Sequence, residues 1–410
     1  MQRTYPKAAL TEKGEKALRG GHPWVYADEI TDIDGAPENG GLCDVVSRKG
    51  RYLGTGFYND NSKIRIRVVS RSTNDAFDEA FWERRIRYAL EYRKTVMRED
   101  FGCCRLIFGE ADGMPGLTVD RFGDILVAQV LCLGMDRIKD ALYRLLVNAL
   151  EGMGEHIAAL YERNDVKIRE LEGMQEYKAF WQSPACGSLS ADLSGVTEIT
   201  ENGVRYSVDY INGQKTGFFL DQKYNRMAIR RIAQGKTVLD CFTHTGAFAL
   251  NAAAAGAQRV TAVDISAQAV EMTRANARLN GLEESMEFVQ ADVFDLLTDL
   301  ARKGGHPYDF IILDPPAFTK SSSTVKSAQR GYKEINLKAM RLLPRGGYLA
   351  TCSCSHFMTE PLFRKMLHDA AEDACVSLRQ IEARRQSPDH PILWNVPETD
   401  YLKFYIFQVV

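Results

Sequence analysis

The chain has 410 residues, more than one hydrophobic core usually organises, so two or three domains are expected. Hydrophobic residues make up 45% and charged residues 26%, which excludes a largely disordered chain and a small disulfide-stapled scaffold. Against 52 Lys+Arg stand 54 Asp+Glu, a net charge of -2, so any basic surface for a nucleic acid must be local.

The N-terminal stretch carries no apolar run, and no window approaches the ~18 consecutive apolar residues of a membrane span. No membrane association is expected. Nine cysteines, an odd number without framework spacing, fit reduced thiols and a cytoplasmic location.

Between Lys7 and Ser70, turn clusters such as Asp34-Gly35, Asn39-Gly40-Gly41 and Asn59-Asp60-Asn61 separate brief apolar runs. They predict a small β-rich domain over residues 1–73. Its clearest strand is Lys63–Val68, where Ile64, Ile66 and Val68 share one face and Lys63, Arg65 and Arg67 the other. That basic face is either an ordinary solvated sheet surface or a strip that tracks phosphates. From Asp75 to Arg98 the period turns helical, with Phe77, Phe81, Ile86, Ala89, Leu90 and Val96 on an apolar side. Arg84, Arg85, Arg87, Arg93, Lys94 and Arg98 lie elsewhere on it, as solvated helix faces usually do. Strand candidates Cys104–Phe108, Leu117–Asp120, Ile125–Cys132 and Ala158–Glu162, with a helix over Arg137–Leu150, predict a central α+β domain over 74–186.

The third region covers 187–410. Asn202-Gly203 between Val196–Thr200 and Val204–Asp209 predicts a hairpin. Apolar runs at Thr237–Cys241, Val260–Asp264, Met286–Gln290, Phe310–Asp314 and Gly347–Cys354 then alternate with helical segments, the pattern of a doubly wound, Rossmann-like parallel sheet.

The first of these strands runs into Asp240-Cys241-Phe242-Thr243-His244-Thr245-Gly246 and an alanine-rich helix. Dinucleotide binding wants G-x-G-x-x-G there, so that backbone can approach a pyrophosphate. Only Gly246 is present. The carboxylate of Asp240 would repel a pyrophosphate but can accept hydrogen bonds from the amino-acid end of S-adenosylmethionine. The second strand ends at Asp264, where nucleotide folds place a ribose partner, followed by Ile265. After the third come Asp292 and its apolar neighbour Val293, suited to an adenine amino group and ring face. Each acid alone is equally a helix N-cap; three in register favour adenosylmethionine.

The fourth strand leads into Asp314-Pro315-Pro316-Ala317-Phe318, and the fifth ends Thr351-Cys352-Ser353-Cys354-Ser355-His356. Cytosine C5 is too weakly nucleophilic to take a methyl group from a sulfonium. A thiolate added at C6, with an acid hydrogen-bonded at N3, makes C5 enamine-like. Cys354 and Asp314 are the candidate pair. Cys354, nearer the carboxyl end, is preferred over Cys352, and zinc binding by Cys352-x-Cys354 or Cys103-Cys104 lacks the remaining ligands. The thiolate needs a nearby positive charge, for which His356, Lys320 and the cofactor's sulfonium are candidates.

Several motifs in order carry a resemblance: Gly21-His22-Pro23-Trp24-Val25-Tyr26, Glu110-Ala111-Asp112-Gly113-Met114-Pro115-Gly116-Leu117, Gly217-Phe218-Phe219-Leu220-Asp221-Gln222, Asp240 to Gly246, Asp314-Pro315-Pro316-x-Phe318 and Ser353-Cys354-Ser355. Over nearly its whole length the chain resembles the bacterial large-subunit ribosomal RNA cytosine-C5 methyltransferases. These are built as a PUA domain, a linking α+β domain and a Rossmann-type methyltransferase. The resemblance implies S-adenosyl-L-methionine as donor, held by Phe219, Asp221, Gln222, Asp240, Phe242, Thr243, Gly246, Asp264, Ile265, Asp292, Val293 and Asp314. It implies Cys354 as nucleophile and ribosomal RNA, or its precursor particle, as partner. It also implies that Lys63, Arg65 and Arg67 lie in an RNA-binding module, with Arg84 and Arg85 as further basic candidates. Thr351-Cys352-Ser353 departs from this pattern and resembles the nucleophile motif of the other large family of cytosine-C5 RNA methyltransferases. RNA amino- or guanine-N methylation through Asp314-Pro315-Pro316, and a non-catalytic RNA-binding assembly factor, are the alternatives. Monomer and homodimer are not distinguished.

Overall fold

A computed structural model describes residues 4–187, 189–190, 193–319 and 321–410. The chain falls into two compact units. One holds the chain up to Ile199 together with Val208–Leu220 and Pro388–Thr399; the other holds Thr200–Ser207, Asp221–Ser387 and Asp400–Val410. No helix among the described residues is long and apolar enough to cross a membrane.

The first unit begins with a six-stranded sheet between Lys7 and Ser70, packed over Ala8, Leu10, Leu18, Val25, Val45 and Ile66. The strand Ile64–Ser70 pairs antiparallel with Trp24–Tyr26 and Tyr52–Tyr58, and its alternation buries Ile66 and Val68 as expected. The turn-rich reading of this region missed the helix Glu12–Arg19, whose start is marked by Thr11 accepting from the Gly14 N–H at 3.2 Å. A five-stranded sheet follows, made of Cys103–Phe108, Leu117–Phe122, Ile125–Val130, Ala159–Asn164 and Tyr177–Trp181. The last of these was not foreseen. The helix Leu133–Gly152 crosses between the two strands of this sheet that pair in parallel. The helix Glu79–Met97 buries Phe81, Trp82, Ile86, Ala89, Leu90 and Met97, but also Arg93, which is 0% exposed. Arg93 is therefore no solvated face residue: its guanidinium grips Asp112 at 2.5 and 2.8 Å.

The predicted hairpin is Val196–Glu201 and Val204–Asp209, turning at Asn202 and Gly203 with φ of 54° and 75°, the positive values a two-residue hairpin turn needs. The boundary between the units runs through it.

The second unit is built on a seven-stranded sheet. In chain order its strands are β1 (Thr237–Cys241), β2 (Arg259–Asp264), β3 (Met286–Gln290), β4 (Phe310–Leu313), β5 (Tyr348–Ser353), β6 (Leu378–Arg384) and β7 (Lys403–Val409). Their spatial order is β3-β2-β1-β4-β5-β7-β6. The first five are parallel; β7 runs antiparallel to both β5 and β6. The helices are α1 (Lys223–Ala233), α2 (Ala247–Ala254), α3 (Ala267–Leu279), α4 (Val293–Lys303), α5 (Val325–Leu342) and α6 (Glu360–Asp373). The first five strands were legible to within a residue or so: β1, β2, β4 and β5 are largely buried on both faces and read as nearly continuous apolar runs, while β3, at the sheet edge, buries only Met286. The β6–β7 hairpin falls outside the βαβ rhythm and was not foreseen. Strand order reverses between β1 and β4, and ligands of open α/β sheets bind beyond the carboxyl ends at such a point.

Candidate active site

Asp240 is the penultimate residue of β1 and is 1% exposed. Its Oδ2 accepts hydrogen bonds from Thr243 Oγ1 at 2.6 Å and from the Ala249 N–H at 3.0 Å. Its Oδ1 has no hydrogen-bond partner among the described residues. Burial lifts this carboxyl to about 7, against the Thr243 hydrogen bond and with added repulsion from Asp314. The turn after β1 holds Phe242 at φ 64° and His244 at φ 52°, left-handed values that non-glycine residues rarely take. Gly246, at φ 83°, has no room for more: a Cβ there would lie 2.5 Å from Thr273 Cγ2.

Asp264 ties this turn to the next strand. Its Oδ2 accepts from the His244 N–H at 3.0 Å and its Oδ1 from the Ser266 N–H at 2.9 Å. Asp292 caps α4, with Oδ1 accepting from the Phe294 N–H at 2.7 Å, so the helix-cap role weighed for it is real. Val293 is buried beside it, whereas Ile265 is 65% exposed.

Across the reversal point, Asp314 follows β4 directly. Its Oδ1 accepts from Cys352 Sγ at 2.8 Å and from Gln222 Nε2 at 3.1 Å. Gln222 is oriented in turn by Asn225 Nδ2, which donates to its Oε1 at 2.7 Å. Asp314 lies at the rim, yet the protein around its carboxyl lifts it to about 6, opposed by the Cys352 hydrogen bond and raised further by Asp221. Asp221 is buried, its Oδ2 accepting from Tyr401 OH at 2.7 Å. Phe219 belongs to the first unit, where Lys215 Nζ lies 5.1 Å from its ring centroid.

The two thiols differ sharply. Cys352 is 1% exposed, and burial together with Asp314 drives its thiol well above the ordinary cysteine range. Cys354 stands just past the end of β5, partly exposed, with Sγ 4.0 Å from the Pro315 carbonyl oxygen. Of the candidate charges, Lys320 lies outside the described residues, and His356 packs on Phe357 with no partner for Nδ1 among the described residues. A buried cation that sequence reasoning missed lies opposite the end of the same strand. Lys403 opens β7 opposite Ser353 and donates to the carbonyl oxygens of Ser355 at 2.6 Å and Tyr401 at 2.8 Å. Burial lowers it to about 8, while Cys354 pulls it back upward. The available signal was a lysine opening the otherwise apolar run Phe404–Phe407.

The basic residues singled out in the first unit are not equivalent. Lys63 is exposed. Arg65 pairs with exposed Asp60 at 2.5 Å, and Arg84 with Asp75 at 3.4 Å. Arg67 bridges Glu110 and Glu172, each at 3.1 Å, while Trp24 Nε1 donates to the same Glu110 at 2.8 Å. Arg85 donates to the Val69 carbonyl at 2.6 Å and lies over the Phe81 ring. The motifs around Trp24 and Glu110 thus meet on Arg67 and hold the unit together. As a correction to the uniform basic face read from Lys63–Val68, Arg67 is enclosed and doubly ion-paired.

The family described as S-adenosylmethionine-dependent methyltransferase matches residues 166–407, and that described as PUA-like domain matches residues 9–71. The chain is an S-adenosylmethionine-dependent methyltransferase. Curated relatives named ribosomal RNA large subunit methyltransferase I, from Klebsiella pneumoniae (strain 342) and Salmonella enteritidis PT4, are each 40% identical over 408 residues. They cover 99% of this chain and 99% and 98% of their own lengths. Among solved structures, a chain from Streptococcus mutans described as a SAM-dependent methyltransferase covers 98% of this chain and 100% of its own, with TM-score 0.80 and 22% identity. A methyltransferase complexed with SAH covers the same shares, with TM-score 0.81 and 22% identity. At that identity these structures share the fold.

The residues of the methyltransferase fit its cofactor. Asp240 is an enclosed carboxylate with one oxygen unbonded, the acceptor that an ammonium group requires. Asp264 and Asp292, at the ends of the next two strands, each retain lone pairs beyond the backbone N–H groups they accept.

Proposed function

We propose that this methyltransferase forms 5-methylcytosine in large-subunit ribosomal RNA, with Cys354 as nucleophile at cytosine C6 and Asp314 as the acid at N3. The observation that carries the reading is the contrast between the two thiols: Cys352 is sealed and bonded to Asp314, whereas Cys354 is partly exposed and precedes Ser355, whose carbonyl oxygen takes the Lys403 ammonium. Ribosomal RNA is supported by relatives of that name matching 99% of the chain.

Asp240 Oδ1 would accept the cofactor's amino group, Asp264 its ribose hydroxyls, and Asp292 with Val293 and Ile265 its adenine. Phe242, Thr243 and Gly246 shape the turn, and Asp221 and Gln222 come from the segment before α1. S-adenosylmethionine supplies an electrophilic methyl group. Cys354 adds to C6, forming the S–C bond as the C5=C6 electron pair moves toward N3, which takes a proton from Asp314. A carboxyl lifted to about 6 retains enough acid near neutrality for that donation. After C5 is methylated, loss of the C5 proton to a base restores C5=C6 and expels the thiolate. Cys352 and Gln222 hold Asp314 in place.

N-methylation through Asp314-Pro315-Pro316 would call on Phe318 to meet a flipped base. Its ring instead packs against Tyr332, Phe294 and Phe242 at 4.6, 5.9 and 6.4 Å between centroids, which weighs against that reading. For RNA contacts, Lys63, Arg65 and Arg84 are favoured over Arg67 and Arg85, whose guanidinium groups support the fold. The test is mass analysis of nucleosides from ribosomal RNA treated with the enzyme. We expect 5-methylcytidine; a methyl group on an exocyclic amine or on guanine would overturn the assignment.

A further inference from the structure

A buried lysine normally has a carboxylate built against it, since an uncompensated ammonium in a protein interior is expensive. Lys403 is 2% exposed, and among the described residues its Nζ contacts only two carbonyl oxygens, those of Ser355 and Tyr401. The nearby acids both pair with Arg385. Glu360, at the start of α6, is held by Arg385 and by Tyr405 OH at 2.5 Å. Asp400 Oδ1 lies 3.0 Å from Arg385 Nε as an ion pair, without a hydrogen bond among the described residues. Arg385 itself adds positive charge, so Asp400 and Glu360 act on Lys403 only from a distance, and no carboxylate among the described residues bonds to its ammonium. The titratable group remaining on that side is Cys354. It lies between Ser353, which pairs with Lys403 across the sheet, and Ser355, whose carbonyl Nζ touches. The two are electrostatically coupled.

We propose that Lys403 is the positioning cation that holds Cys354 as a thiolate. The inference rests on Cys354 being the nucleophile only for its catalytic consequence. The thiol proton leaves to solvent, the ammonium keeps its own protons, and two carbonyl anchors keep the charge from swinging into water. Because both anchors are backbone oxygens, nothing else in the site must move for the charge to stay in place. A fixed charge of this kind serves addition to C6 and also the later departure of the thiolate.

The test follows Cys354 alkylation by iodoacetamide against pH, resolved by peptide mass analysis in the full chain, with exposed Cys375 as internal reference. In Lys403→Met, the apparent pKa of Cys354 should rise by about one unit or more, roughly tenfold less thiolate at pH 7. Turnover should fall about as far and recover toward pH 9, with KM for S-adenosylmethionine unchanged. Lys403→Arg, which keeps the charge, should stay close to wild type. A Met variant that binds cofactor normally but shows a wild-type alkylation profile would overturn the proposal. So would an Arg variant whose profile shifts as far as that of Met, a comparison that remains decisive should Met fold poorly. If Cys354 titrates as proposed while Cys354→Ser still methylates cytosine, the nucleophile assignment falls and the Lys403 coupling stands.

Discussion

Buried charge is handled in two ways in the two units. In the first, enclosed arginines meet carboxylates: Arg93 meets Asp112 at 2.5 and 2.8 Å, Arg105 meets Asp120 at 2.7 and 2.8 Å, and Arg67 meets Glu110 and Glu172. In the second, Arg226 and Glu201 form one such pair at 2.6 and 2.8 Å. Yet Asp240 and Asp314 are lifted to about 7 and about 6 with no described cation bonded to them, and Lys403 sits at about 8 with no described carboxylate bonded to it. A matched buried pair satisfies itself and belongs to the fold. An unmatched one is left for a ligand or a reacting group. The overall charge of -2 conceals both kinds.

The largest effect is expected at the thiols. Cys354→Ala should abolish methyl transfer while S-adenosylmethionine still binds by calorimetry, whereas Cys352→Ala should leave measurable turnover; equal losses would erase the distinction. Next in size, Arg93→Met strands Asp112 and should cost about 3–5 kcal/mol of stability in urea unfolding, with cofactor affinity in the folded protein unchanged. Asp240→Asn should do the reverse, weakening S-adenosylmethionine binding by roughly 100-fold, as loss of a buried charged hydrogen bond of about 1.5–3 kcal/mol implies. Without cofactor, a carboxyl raised to about 7 favours the folded state while protonated. That contribution is complete below the unfolded carboxyl pKa of about 4 and is lost as pH rises through 7. Asp240→Asn should therefore melt higher than wild type at pH 8 and lose the advantage below pH 5. In wild type, S-adenosylmethionine affinity should fall below pH 7, as Asp240 takes up a proton. The smallest effect is on RNA: Lys63→Ala should reduce the salt slope of RNA binding by about one phosphate contact.

How much of this could be read from sequence follows the same division. Asp240, Asp264 and Asp314 were legible because each ends, or nearly ends, a continuous apolar run of a parallel sheet. The fate of Arg67 was not, since its partners Glu110 and Glu172 lie 43 and 105 residues away and reach it only through the packing of the unit. Lys403 was hidden for a related reason: the antiparallel β7 brings it within 2.6 Å of a carbonyl 48 residues earlier, a pairing no local period announces. Alternation alone places Cys352 and Cys354 on one face of β5, and only position along the strand favours Cys354 in the sequence; their difference in burial comes from the structure.

In the proposed reaction the accessible thiol, not the sealed one, attacks the base. Incubating the enzyme with S-adenosylmethionine and ribosomal RNA containing 5-fluorocytidine, then mapping the trapped adduct by peptide mass analysis, tests it directly. A covalent adduct on Cys354 is expected in wild type and in Cys352→Ser. An adduct on Cys352, or methylation of unmodified RNA by Cys354→Ser at the wild-type rate, would contradict it.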